Sequence, residues 1–187
     1  MLRSLKTIAL LGVSVVVLSA FTPSTSMSPN LTSGGRVLAH TQTQTCSPAQ
    51  LKVVLGRTDA AMGHLNQVVR FVNIGPVTCA LRGYPRLQML SRSGAAIATH
   101  DHDGTNYTVP ILPIKVVTLA FGKSATFQVG YAAATGYGSA VCPTSARIRV
   151  FPPASQRPIV VVWRLQPYGG PTIAKLHCGD LTLSPVY

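Results

Sequence analysis

The sequence predicts an all-β domain, an antiparallel sandwich of about seven to nine short strands, and three observations predict it. Apolar residues alternate with polar ones at period two in run after run. Clusters of Gly, Pro and Asn separate the runs. Four cysteines, Cys46, Cys79, Cys142 and Cys178, all lie downstream of a short apolar leader.

The leader opens with Arg3 and Lys6 and continues as an apolar run from Thr7 to Phe21, shorter than the roughly 20 residues a bilayer-spanning helix needs. Residues 1–20 therefore read as a signal peptide cleaved near Ala20, where Leu18-Ser19-Ala20 ends in a small residue. A lipid-anchored exported protein needs a cysteine directly after the apolar core, and the first one here is Cys46. The expectation is a secreted or cell-wall-associated protein that is not a lipoprotein and has no stable membrane insertion after cleavage. Residues 21–45 are rich in Ser and Thr, with Pro23, Pro29, Gly34, Gly35 and the single charge Arg36. Such a stretch cannot bury a core and is expected to be a disordered spacer.

Export places the thiols where disulfides persist, and an even count without any Cys-x-x-Cys reads as two bridges rather than a zinc site. The thirty-three-residue step from Cys46 to Cys79 and the thirty-six-residue step from Cys142 to Cys178 each enclose a hairpin-like stretch. A hairpin brings its ends together. The expected pairs are Cys46–Cys79 and Cys142–Cys178, each worth roughly 3–4 kcal/mol in the chain-entropy model.

Residues 46–187 are enough for one domain with a real core. Leu51, Val53 and Leu55 alternate along the first strand; Leu65, Val69 and Phe71 along the second; Ala125, Phe127, Val129 and Tyr131 along a later one. Ile148 and Val150 alternate with Arg147 and Arg149, and Leu181 and Leu183 flank Thr182. Ile159 to Leu165 is apolar on both faces and is expected to be a central strand. Turn residues sit at 61–63, 73–76, 93–94, 121–122, 152–153 and 168–171. Short strands at that spacing suggest the immunoglobulin-like kind of sandwich.

The segment Asn73-x-Gly75-x-x-x-Cys79-x-Leu81-x-Gly83-Tyr84-Pro85 resembles the signature of domain of unknown function 4232, a group of exported actinobacterial proteins. The resemblance spans roughly residues 46 to 185, including the early Cys, Gly63 in the first hairpin and the closing Leu181-Thr182-Leu183-Ser184-Pro185. One departure is Phe121, where the family places proline. The resemblance implies a sandwich and export, and it transfers no catalytic residue. Physically the signature reads as a folding corner, with glycines for special backbone angles, Pro76 and Pro85 for chain direction, and Tyr84 capping a strand through its hydroxyl.

Metal-ligand character is confined to His100-Asp101-His102-Asp103-Gly104, read as a connection between strands. Extended, it would put His100 and His102 on one side, with His64 or His177 as a further ligand. A solvated polar loop accounts for it equally well, and no cofactor is expected. Catalysis is disfavoured because the chain holds no Glu, leaving Asp59, Asp101, Asp103 and Asp180. There is no Gly-x-Ser-x-Gly elbow and no His-Glu-x-x-His, and Val117 stands where a phosphate loop preceding Gly122-Lys123-Ser124 needs glycine. Asn30-Leu31-Thr32 and Asn106-Tyr107-Thr108 match the glycosylation triplet.

Charge is the remaining clue. Residues 46–187 carry thirteen Lys or Arg against four Asp, a net +9. Arg147, Arg149, Arg157 and Arg164 are the candidate contacts for an anionic cell-envelope polymer or acidic protein, with no nucleic-acid motif present. The expected function is a non-catalytic, envelope-associated binding module. The alternatives are a secreted metal-dependent enzyme using His100 and His102, or a purely structural extracellular protein.

Overall fold

A computed structural model describes residues 43–106, 108–132, 143–165, 172–173 and 176–187. These belong to one unit, His40–Tyr187. The expected signal peptide and nearly all of the expected spacer lie outside the described residues.

A short 3-10 turn, Pro48–Gln50, precedes strands β1 (Leu51–Ala61), β2 (His64–Asn73), β3 (Cys79–Arg82) and β4 (Arg86–Leu90). There follow β5 (His100–Asp103), β6 (Val116–Leu119), β7 (Ser124–Ala132), β8 (Thr144–Ser145) and β9 (Arg147–Phe151). The chain ends through β10 (Ile159–Val162), β11 (Arg164–Leu165), β12 (Thr172–Ile173), β13 (Leu176–His177) and β14 (Asp180–Leu183). One sheet runs β1-β2-β7-β14-β5 and a second β10-β9-β4, with two-stranded pairings of β3 with β6, β8 with β13 and β11 with β12. The domain is thus all-β and mostly antiparallel, with more strand segments than the seven to nine expected, several only two residues long.

The period-two residues do form the core. Phe71, Phe127, Val129, Tyr131, Ile148, Val150, Leu181 and Leu183 are buried in one cluster that joins both main sheets, each large side chain contributing about 1.5–3 kcal/mol by leaving water. Phe71 and Phe127 stack at 5.0 Å across β2 and β7. Trp163 meets Tyr131 edge-on at 6.2 Å and donates its indole N–H to the phenol oxygen at 3.3 Å. β1 bulges between Leu55 and Thr58, where the register slips.

Two expectations change and a third is met in part. Ile159–Val162 is an edge strand of the three-stranded sheet rather than a central one, and Val160 and Val162 are 49% and 44% exposed. The His100–Asp103 stretch is a strand, not a connection, and it lies parallel to β14, so the large sheet is mixed. One disulfide of the expected two is described, Cys46–Cys79, with a sequence separation of 33. The β1–β2 hairpin does lie inside that loop, and Thr45 bridges Ala80 beside it. The expected Cys142–Cys178 pair lies outside the described residues because Cys142 does, although Cys178 is itself disulfide-bonded and no described cysteine is free.

Candidate functional site

Strand pairing assembles a basic face on the outside of the β10-β9-β4 sheet. The register sets Arg149 between Val160 and Gln88, and Arg147 between Val162 and Leu90. Because Ile148 and Val150 are buried, alternation turns both arginines outward, Arg147 exposed and Arg149 half-buried. In the next row Arg86 lies opposite Phe151, its guanidinium 5.0 Å above the ring centre. That stacking costs Arg86 little of its charge toward solvent, and its Nη2 also donates to Gln156 Oε1 at 3.2 Å. At the other end a cleft of about 380 Å³ is lined by Arg92, Thr144, Ser145 and Arg147 among others. Ser145, buried, accepts the N–H groups of Arg147 at 3.0 Å and Leu90 at 3.3 Å, which ties the ends of β4 and β9 together and holds Arg147 at the cleft.

No aspartate belongs to the strands of this sheet: Asp59 is on β1, Asp101 and Asp103 on β5 and Asp180 on β14, with the Asp101 carboxylate reaching the β4 edge at the Leu87 N–H. Arg57 and Asp59, both on β1, form an exposed ion pair at 3.0 Å. Of the four arginines expected from sequence, Arg147 and Arg149 come together. Arg157 is exposed in the turn leading into β10, where its backbone N–H is accepted by Ser155 Oγ. Arg164 lies on β11, paired with Ile173, and its side chain is outside the described residues. Arg86 and Arg92 were not legible as members, since only the long-range pairing of β4 with β9 brings them there.

The His-Asp stretch is built differently from a ligand cage. Register places His100 beside Asp180 and His102 beside Thr182, with both histidines exposed. Asp101 instead turns toward the other sheet, where its Oδ2 accepts the Leu87 N–H at 3.0 Å, while Thr99 Oγ1 accepts the Met89 N–H at 2.9 Å. Burial, followed by the neighbouring Asp101 charge, raises the pKa of Asp103. Among the described residues no three His, Cys, Asp or Glu side chains come together as a metal site. His64 pairs with Ala132 on β7, and the side chain of His177 is outside the described residues.

The signature segment is a hydrogen-bonded corner. Asn73, buried, accepts the Gly75 N–H at 2.9 Å and donates to the carbonyls of Val77 and Leu119, each at 2.9 Å. Its backbone N–H goes to Lys123 O at 2.9 Å, and its carbonyl takes the Gly122 N–H at 2.8 Å. A Cβ on Gly75 would stand 2.9 Å from Gln50 Cγ, so any larger residue there would push that side chain aside. Tyr84, expected to cap a strand through its hydroxyl, packs half-buried against the core. Asn106 of the second glycosylation triplet is likewise structural: its Oδ1 accepts the N–H groups of Thr108 and Val109, and its Nδ2 lies 2.7 Å from where a Cβ on Gly130 would be.

Compared with known families, residues 46–187 match the family described as Domain of unknown function (DUF4232). No curated protein and no solved structure matches.

Proposed function

The chain belongs to the DUF4232 family, a domain of unknown function, and on that premise we propose that it is an exported, non-catalytic module that holds an anionic cell-envelope polymer on the outer face of β4, β9 and β10. The observation that carries this reading is the row-by-row placement of Arg86, Arg149 and Arg147 on one sheet face that holds no aspartate. Like charges kept side by side on a face where none of these arginines pairs with an aspartate raise the local potential, which favours a polyanion over water and salt. The flanking Val160 and Val162, together with the Arg86–Phe151 stack, give the polymer backbone apolar surface to lie on. Removal of a signal peptide near Ala20, an immunoglobulin-like arrangement of the sheets and a second bridge between Cys142 and Cys178 belong to the same reading.

Binding to inorganic polyphosphate, with neutral dextran as the control, tests it. Affinity should fall steeply between low and high salt, because the contact is between exposed charges. Arg147→Ala with Arg149→Ala should weaken it about ten-fold, which corresponds to roughly 0.7 kcal/mol per arginine, within the range of exposed pairs. Salt-independent binding, or full retention by the double variant, refutes the electrostatic face. The two rivals separate by elemental analysis of the oxidised protein: stoichiometric zinc or copper would promote an enzyme built on His100 and His102, and a purely structural role would leave polyphosphate unbound.

A further inference from the structure

The Asn73 corner carries a second surface, independent of the arginine face and on a different part of the fold. Two loops, 74–78 and 120–123, are tied to the same asparagine through Val77 O, Gly122 N and Lys123 O. They present three large apolar side chains to solvent: Ile74 and Val77 at 51% exposure and Phe121 at 68%. Gly122, at φ +74, makes the turn sharp, and the Lys123 N–H closes it on Ala120 O at 3.0 Å, so Phe121 stands at its apex. The patch therefore projects from the end of β2 and β7 rather than lining a recess.

Its surroundings are cationic. Lys123 is exposed within the same loop, and Lys52 is exposed next to Leu51, which pairs with Asn73 itself. Arg70 is exposed on the same sheet, paired with Val54 and Thr126. The four described aspartates on that sheet sit further along it: Asp59 opposite Asn66, Asp180 beside His100, Asp101 beside Leu181, which faces Tyr131, and Asp103 beside Leu183, which faces Val129. A hydrated polyanion could use the lysines but would leave Ile74, Val77 and Phe121 in water. A surface that is anionic on the outside and hydrocarbon just beneath satisfies both sets of groups.

We propose that the Asn73 tip docks on an anionic lipid bilayer, with Phe121, Ile74 and Val77 entering the headgroup region and Lys123 and Lys52 meeting the lipid phosphates. The contact is peripheral and reversible, since three side chains on loops do not make a membrane span. It goes beyond the polymer reading and does not depend on it.

The test is Phe121→Trp in the full chain, read by tryptophan fluorescence against vesicles of phosphatidylcholine with and without phosphatidylglycerol. The native Trp163 is buried and supplies a constant background, so the signal reports residue 121 itself, and any leader remaining on the chain acts equally on every variant. A blue shift on phosphatidylglycerol vesicles that is absent on phosphatidylcholine alone is expected. Ile74→Ser with Val77→Ser should weaken that titration about ten-fold, while Arg147→Ala with Arg149→Ala leaves it unchanged and weakens polyphosphate binding only. No shift on the anionic vesicles overturns the proposal, and so does an equal shift on both vesicle types. Loss of the shift in the Arg147/Arg149 variant also overturns it, by assigning the lipid contact to the arginine face.

Discussion

The backbone N–H groups of Leu87 and Met89 lie on an edge strand, and two side chains from the neighbouring segment take them up: the Asp101 carboxylate at 3.0 Å and the Thr99 hydroxyl at 2.9 Å. Asp101 is thereby a link between the two main sheets and not a metal ligand in waiting. Asp101→Ala leaves the Leu87 N–H without its acceptor and should cost about 1–3 kcal/mol in urea unfolding, whereas Asp101→Asn keeps an oxygen in place and should recover part of that. The Tyr131 phenol answers a different question. Burial pushes its pKa up to about 12, with the hydrogen bond from Trp163 pulling it partly back. The folded chain keeps this proton while the unfolded chain releases it near pH 10, so the unfolded state binds fewer protons between those values. Stability should accordingly be level through neutral pH, fall as pH rises above about 10 and lose roughly 2–3 kcal/mol by about pH 12. Urea midpoints measured across that range should show the decline in the wild type and a shallower one in Tyr131→Phe.

At the scale of single elements, the 120–123 turn offers a substitution that separates stability from docking. A turn closed from Lys123 N–H to Ala120 O, with positive φ at its third residue, Gly122, favours proline at its second, and the family resemblance places proline there too. Phe121→Pro should raise the urea midpoint by the equivalent of about 0.4–1 kcal/mol through the unfolded state, and it should abolish the vesicle contact. A loss of stability instead would mean that this turn does not hold the backbone angle proline needs. The strands themselves differ in how legible they were. Phe127, Val129 and Tyr131 announced β7 because their face is fully buried while Ser124, Thr126 and Gln128 on the other are exposed or half-buried, which alternation records directly. Ile159–Val162 misled because apolarity on both faces states what a strand tolerates and not whether it has a neighbour on each side; here the sheet stops at β10. His100–Asp103 gave no strand signal, since its extended form comes from the parallel ladder with β14, a partner far along the chain. The candidate face was half legible for the same reason. Parity along one strand put Arg147 with Arg149, but Arg86 joins them only through the β4–β9 register.

Across the whole molecule, charge and covalent closure divide the work of fold and function. The net charge of +9 on residues 46–187 opposes compaction of the domain through self-repulsion, and the exposed Arg57–Asp59 pair offsets little of it. Cross-linking answers that deficit from the unfolded side, where shortening the free chain costs the cationic coil entropy it would otherwise keep. The Cys46–Cys79 bridge closes a loop of 33 residues around the β1–β2 hairpin, worth roughly 3–4 kcal/mol in the chain-entropy model. Beside it the chain is also pinned by backbone bonds, Cys46 N–H to Ala80 O and Ala80 N–H to Gln44 O, each at about 3 Å, so the folded register should survive the loss of the sulfurs. Cys46→Ala with Cys79→Ala should therefore lower the unfolding free energy by about 3–4 kcal/mol while leaving polyphosphate and vesicle binding intact under native conditions. Adding reductant to that double variant then probes the rest of the chain. A further loss of similar size is expected if Cys142 and Cys178 form the second bridge. Indifference to reductant would mean that no second bridge holds the fold, and that the arginine face stands on strand pairing and core packing alone.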